Sequence, residues 1–95
     1  MTYKLTFDKG AAREWRKLTP DARKQFQTKL LERLEFPCVP SAALSGMQDC
    51  YKIKLKALGY RLVYRVYNKT LIIEVIAIGE RDKLSVYEKA KERMH

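Results

Sequence analysis

Apolar and polar residues alternate along some segments of the chain and recur at helical spacing along others. Residues 2–7 alternate, with Tyr3, Leu5 and Phe7 on one side, which predicts a strand with one buried face. Asp8 precedes a helical pattern over about 9–18, and Thr19-Pro20 precedes a second one that ends near Glu35, since these residue types cap and start helices. The residues predicted to face inward are Ala11, Ala12, Trp15 and Leu18 in the first helix, and Ala22, Phe26, Leu30, Leu31 and Leu34 in the second.

The second half of the chain predicts three strands and a last helix. Residues 37–49 form the one long irregular connection, and alternating strands follow over 50–56 and 60–67, with a turn at Gly59. Asn68-Lys69 turns into 70–78, which is almost wholly apolar and therefore covered on both faces, and Gly79 is predicted to end it. A helix from Asp82 or Ser85 to about Arg93 completes the order β-α-α-β-β-β-α. This order predicts one domain over 1–95 of the α+β class, with helices packed on an antiparallel sheet.

The charge of the chain indicates a polyanionic partner. Lys and Arg number 20 against 11 acids, so the formal net charge is +9. RNA, DNA, an acidic protein or an anionic membrane would fit this balance, and a basic protein with no nucleic-acid role is the alternative. No apolar run is long enough to span a membrane, and the N-terminus lacks a hydrophobic signal core, so we expect a cytoplasmic protein with no membrane partner. Cys38 and Cys50 fit two reduced thiols better than one disulfide.

The densest positive charge lies on predicted strands. Between residues 50 and 73 there are six cations and no acid. Because side chains alternate along a strand, Lys52, Lys54 and Lys56 share one face while Tyr51, Ile53 and Leu55 face the core. The apolar set of the next strand must face the same core, which puts Arg61 and Arg65 beside the lysines. Such a face favours a bound anion, although a solvated lysine face is the plainer interpretation.

The residues of this face limit the chemistry that the chain can perform. The one histidine, His95, is the last residue, and no His-x-x-x-His, zinc-type cysteine pair or metal-spaced acid cluster is present. We therefore expect no metal and no cofactor, and if RNA is cut, Lys, Arg and Tyr must cut it. Lysine and tyrosine have reference pKa values of about 10, and neighbouring cations lower both. Arginine can clamp a phosphate, and the RNA 2′-hydroxyl can be the nucleophile.

Several segments together resemble the RelE toxins of bacterial toxin–antitoxin pairs, over nearly the whole chain. They are Glu14-Trp15-Arg16-Lys17-Leu18, Leu44-Ser45-Gly46-Met47, Cys50-Tyr51-Lys52-Ile53-Lys54-Leu55, Gly59-Tyr60-Arg61-Leu62-Val63-Tyr64, Gly79-Glu80-Arg81 and Val86-Tyr87. The resemblance implies a microbial-ribonuclease-like fold and cleavage of mRNA in the ribosomal A site, beside 16S rRNA, by 2′-hydroxyl attack that leaves a 2′,3′-cyclic phosphate. It also implies a RelB-type antitoxin that neutralises the toxin, and binding of operator DNA only as a toxin–antitoxin complex.

The resemblance also implies a set of site residues. By position, the catalytic set is Lys52, Lys54, Arg61, Arg81 and Tyr87, and the RNA-binding set is Lys56, Arg65 and Ser45. Tyr87 resembles the general base, Lys54 or Arg81 assists the leaving 5′-oxygen, and Lys52 and Arg61 hold the phosphate. The family often carries arginine at position 45 and a basic residue at position 80, where this chain has Ser45 and Glu80, and both departures would weaken RNA contacts.

Two other functions fit parts of the pattern. A DNA-binding module would place the second helix in a groove through Arg23, Lys24, Lys29 and Arg33. A co-repressor of the same fold would bind the antitoxin without nuclease activity. Without the family, Tyr87 fits a core-edge aromatic on the last helix and Arg81 a surface residue.

Overall fold

The helices and strands follow the predicted order, and the four described strands form one sheet. The computed structural model describes residues 2–80 and 85–94. Its elements are β1 (Lys4–Phe7), α1 (Lys9–Lys17), α2 (Pro20–Glu35), β2 (Cys50–Leu55), β3 (Tyr60–Tyr67), β4 (Ile72–Glu80) and α3 (Ser85–Arg93), with a 3₁₀ turn at Pro40–Ala42. The predicted caps are present, because the side chains of Asp8 and Thr19 accept hydrogen bonds from the backbone N–H groups of Gly10 and Ala22.

The sheet is mixed, so the prediction of an antiparallel sheet is wrong for one pair of strands. The strand order is β1-β4-β3-β2, and the chain-adjacent strands β2, β3 and β4 pair antiparallel as tight turns require. β1 pairs parallel with β4, with Lys4 opposite Ile72 and Phe7 opposite Val75. Tight turns do not govern this pair, because β1 is separated from the other strands by two helices.

β4 begins and ends two residues later than predicted. Leu71 belongs to the preceding turn, with a φ of 56°, and the strand starts at Ile72. At the other end Gly79 does not end the strand but pairs with Arg61. A Cβ added at Gly79 would lie 3.2 Å from the Cβ of Val86, so glycine serves here to let α3 approach the sheet closely.

Two apolar clusters cover the two faces of the sheet. The first lies between the sheet and helices α1 and α2, and contains Phe26, Ile53, Leu62, Tyr64 and Ile73. The second lies under α3. The register shifts between Val63 and Tyr64, so the second cluster receives two consecutive β4 residues, and it consists of Met47, Cys50, Val63, Ile76, Ala77, Val86 and Ala90. β4 contributes to both clusters, which confirms that it is covered on both faces.

Two residues predicted to face inward do not. Leu31 is 60% exposed, because its neighbour Leu30 already points at the sheet and the next residue in a helix lies about 100° further round. Leu5 is 38% exposed, since the face of β1 is only partly covered. Both line an open apolar hollow between β1 and α2.

Both cysteines carry free thiols. Cys38 is exposed, whereas Cys50 is buried in the second cluster with its thiol 3.3 Å from the sulfur of Met94. Burial raises the pKa of the Cys50 thiol to about 11. Cys50 is therefore a small apolar core residue in this fold.

Candidate active site

One face of the β2–β3 hairpin presents a cluster of cations, here called the basic face, made of Lys52, Lys54, Arg61 and Arg65. The strand register places Lys54 directly opposite Arg61, and Arg65 opposite Cys50. Ile53 and Leu55 point the other way, into the first apolar cluster. The alternation read from the sequence is therefore the alternation of the folded sheet.

Helix α3 brings a tyrosine to this cluster from a distant part of the chain. A guanidinium nitrogen of Arg61 donates a hydrogen bond of 2.9 Å to the hydroxyl of Tyr87, and the Arg61 guanidinium carbon lies 5.8 Å from the centre of the Tyr87 ring. Tyr87 is half-buried beside the second apolar cluster. Its ring thus packs at the edge of the core while its oxygen reaches the basic face.

The electrostatics of the basic face affect Lys54 most clearly. The Lys52 ammonium, and after it the Arg61 guanidinium, lower the pKa of Lys54 from its ordinary value of 10.5, and desolvation and Lys56 lower it further. Repulsion of this kind favours the neutral amine. A lysine with a lowered pKa releases its proton more readily, so Lys54 has the properties of a proton donor.

Arg61 and Arg65 also retain unused hydrogen-bonding capacity. The Nε–H group of each is buried, and neither makes a hydrogen bond within residues 2–80 and 85–94. A buried donor without an acceptor is costly, and each guanidinium has further N–H groups that can bind an anion. The guanidinium of Arg65 lies 5.1 Å from the ring centre of Tyr67, whose hydroxyl donates to Glu74.

The three predicted RNA-binding residues lie on the hairpin and in the loop that precedes it. Lys56 is exposed just after β2, and Lys54, Leu55, Lys56, Tyr60 and Arg61 line a hollow of about 230 Å³. Ser45 is exposed in the loop whose neighbouring residues Leu44 and Met47 pack into the second cluster. Arg65 lies four residues along β3 from Arg61, on the order of 13 Å away. Arg81 and the proposed helix start at Asp82 fall outside the described residues.

Two supporting groups were missed by the sequence reasoning. Arg33 of α2 donates to the hydroxyl of Tyr64 at 2.7 Å and to the backbone carbonyl of Lys52, and the Tyr64 hydroxyl donates to the carbonyl of Pro37. Glu14 of α1 forms ion pairs with Lys89 and Arg93 of α3. Neither group has a sequence signal of its own, because each depends on which elements pack together.

Two kinds of feature are absent from residues 2–80 and 85–94. No group of three His, Cys, Asp or Glu side chains is arranged there to hold a metal ion. None of the described helices is both long enough and apolar enough to cross a membrane.

Comparison with known proteins identifies the family. Residues 5–84 match the family model described as the ParE toxin of the type II toxin–antitoxin system parDE. The chain is 47% identical over 94 residues to the mRNA interferase toxin RelE of Escherichia coli K12, and the match covers 99% of both chains. This chain belongs to the RelE/ParE family of toxins.

Solved RelE structures agree with this assignment. A doubly substituted variant of E. coli RelE in the free state superposes with a TM-score of 0.93 at 45% identity, covering all of both chains. The same variant in complex with a peptide of the antitoxin RelB superposes with a TM-score of 0.82 at 47% identity, covering 95% of each chain. The expectation of a RelE-like fold is therefore confirmed.

Proposed function

We propose that this protein is a toxin that inhibits translation by cleaving mRNA in the ribosomal A site. The observation that carries the proposal is the contact between Arg61 and Tyr87 beside Lys54, which unites a phosphate-binding group, a hydroxyl and a proton donor on one face. Its relative in E. coli at 47% identity is an mRNA interferase. The surrounding cations attract the RNA backbone, which supports binding to a polyanion.

The reaction uses the 2′-hydroxyl of the RNA as nucleophile. Tyr87 acts as the tyrosinate, with the Arg61 guanidinium donating to its oxygen, and takes the proton of that hydroxyl while the 2′-oxygen attacks the adjacent phosphorus. The bond from phosphorus to the 5′-oxygen breaks, and Lys54 gives its proton to the departing oxygen. The products are a 2′,3′-cyclic phosphate and a 5′-hydroxyl. Lys52 and Arg61 neutralise the additional charge that the phosphate carries in the transition state.

The remaining predicted site residues bind RNA or share the proton transfer. Arg81 is a second candidate for assisting the 5′-oxygen, although arginine gives up a proton with difficulty. Lys56, Arg65 and Ser45 contact the RNA on either side of the scissile phosphate. Serine at position 45 and Glu80 at the exposed end of β4 reduce the positive charge available to RNA. We infer from this reduction that the chain depends on the ribosome to position its substrate.

The partners of the toxin follow from its relatives. RelE of E. coli forms a complex with the antitoxin RelB. We propose that a RelB-type antitoxin neutralises this chain in the cytoplasm, and that the toxin contacts operator DNA only within that complex. The helix α2 is poorly suited to read DNA alone, since Arg33 bonds to Tyr64 and Arg23 donates to the carbonyls of Arg16 and Leu18.

Controlled expression in a bacterial host tests the proposal. The parent chain should arrest growth, and Tyr87→Phe should not, because the variant lacks the group that accepts the 2′-hydroxyl proton. Tyr3→Phe is the matched control, since it also removes one hydroxyl, which donates to Asn68 in the turn after β3, seven residues along the chain from Arg61. Growth arrest by Tyr87→Phe equal to that of the parent would contradict the assigned role.

A further inference from the structure

Side chains replace a strand along one half of the outer edge of β4. β1 pairs with this edge only from Ile72 to Val75. Beyond it, the N–H group of Ile78 donates to the carboxylate of Glu14 at 3.0 Å, Arg93 donates to the carbonyl of Ile76 at 2.9 Å, and Lys89 donates to the carbonyl of Ile78. Buried backbone groups need such partners. The unpaired part of the β4 edge thus binds a side chain of α1 and two side chains of α3.

Glu14 bonds both to the backbone of β4 and to the two side chains of α3 at this edge. Its carboxylate, 20% exposed, accepts hydrogen bonds from both terminal nitrogens of Arg93 and from Lys89, in addition to that from Ile78. Burial by itself would raise the pKa of Glu14, but the hydrogen bonds from Arg93, Lys89 and the Ile78 N–H lower it below its ordinary value of 4.5. Glu14 is therefore an ionised acceptor that joins α1, α3 and β4. Its bonds to Lys89, Arg93 and the Ile78 N–H group are here called the Glu14 anchor.

The packing of α3 connects the Glu14 anchor with the position of Tyr87. Val86 and Ala90 form the inner line of the helix and rest on Val63, Ile76 and Ala77. At about 100° per residue, Lys89 and Arg93 lie on one flank of that line and Tyr87 lies on the other. Apolar contacts along the inner line resist separation more than rotation, because they are not directional. The same helix is thus bonded to Glu14 on one flank and to Arg61, through Tyr87, on the other.

We propose that Glu14 is a positioning residue for the proposed cleavage reaction, acting through α3 to hold the Tyr87 hydroxyl against Arg61. The inference rests on the proposed function. Helix side chains extend about 5–6 Å from the axis, so a rotation of α3 by about 20° would move the Tyr87 side chain by about 2 Å. A misplacement of about 1 Å can lower a rate by about 10²-fold. Loss of the anchor should therefore slow cleavage and leave RNA binding largely intact.

The test compares Glu14→Gln with Glu32→Gln, which removes the same charge from an exposed position on α2. Single-turnover cleavage of mRNA on programmed ribosomes, with the toxin in excess, gives the maximal rate and the half-saturating toxin concentration. We expect Glu14→Gln to lower the rate by about 10- to 100-fold and to leave the half-saturating concentration within a factor of about three. Lys89→Met removes one donor to Glu14 and should lower the rate by a smaller factor, which keeps the test informative if Glu14→Gln folds poorly.

A spectroscopic measurement reports the anchor without relying on activity. The signal of tyrosine Cζ labelled with ¹³C is assigned to Tyr87 by its absence in Tyr87→Phe. In Glu14→Gln this signal should shift in the same direction as in Arg61→Met, which removes the partner directly, and Glu32→Gln should leave it unchanged. An unmoved signal, or a parental cleavage rate in Glu14→Gln, would overturn the inference alone. A folded parent chain that cleaves no RNA would overturn the proposed function, and the inference with it.

Discussion

Replacement of Arg61 by methionine should affect folding and catalysis to very different extents. Arg61 lies opposite Lys54, and like charges in such cross-strand pairs destabilise a sheet by about 0.2–1 kcal/mol. The substitution relieves this repulsion but removes the hydrogen bond from the charged guanidinium to Tyr87, which at this partly exposed position contributes about 1.5 kcal/mol, the lower end of the range for charged groups. Methionine keeps the apolar length of the side chain. The free energy of unfolding should therefore fall by no more than about 1.5 kcal/mol.

The effect of the same substitution on cleavage should be larger. In the proposed reaction Arg61 faces the phosphate as its charge increases, and loss of one such donor costs about 10²- to 10³-fold in rate, or about 2.7–4 kcal/mol. Urea denaturation followed by Trp15 fluorescence measures the first quantity, and single-turnover cleavage of ribosome-bound mRNA measures the second. Arg16→Met, which removes one charge from the exposed side of α1, is the control. A folded Arg61→Met protein that cleaves within tenfold of the parent would refute the assignment of Arg61.

Three further predictions concern Lys54, Tyr64 and Glu14. The cleavage rate should fall with rising pH as Lys54 loses its proton. Lys52→Met should move this alkaline limb of the pH–rate profile to higher pH, because Lys52 is the main cause of the lowered pKa of Lys54. An alkaline limb that stays in place would argue against Lys54 as the donor. Tyr64→Phe should lower the free energy of unfolding by about 1–3 kcal/mol in urea denaturation, because Arg33 and the Pro37 carbonyl lose the hydroxyl that they share. A change below about 0.5 kcal/mol would show that this hydrogen-bond network contributes little to stability. The pKa of Glu14 is lower in the folded state, so its ionised form stabilises the fold above pH 4.5. This contribution disappears as the pH falls through the folded pKa. The difference in unfolding free energy between the parent and Glu14→Gln should therefore shrink in acid and stay constant near neutrality.

Local signals in the sequence predicted most of the fold. Asp8 and Thr19-Pro20 cap helices through bonds to nearby backbone groups, and β2 and β3 alternate because one face must be buried, so these elements were predictable from neighbouring residues. The direction of β1 was not, because no short turn connects it to β4. Gly79 was misread for a similar reason, since it accommodates Val86 of a helix that packs on it from elsewhere in the chain.

The site was predictable to the same extent. The alternation of lysines and arginines in β2 and β3 indicated a basic face, and the structure places them there. Tyr87 could be joined to that face only through the family resemblance, because its contact with Arg61 spans 26 residues of sequence. Glu14 appeared in a quoted motif but without a role, since its partners Lys89 and Arg93 lie more than 70 residues away.

The central claim is tested most directly by mapping the ends that the purified protein produces on a defined mRNA. The RNA is presented on ribosomes with an empty A site, on ribosomes with an occupied A site, and without ribosomes. The account predicts a cut within the A-site codon of the first sample, with a 2′,3′-cyclic phosphate on the upstream fragment and a 5′-hydroxyl on the downstream fragment. Fragments that end in a 3′-hydroxyl and begin with a 5′-phosphate, or no cleavage by the folded protein in any sample, would contradict it.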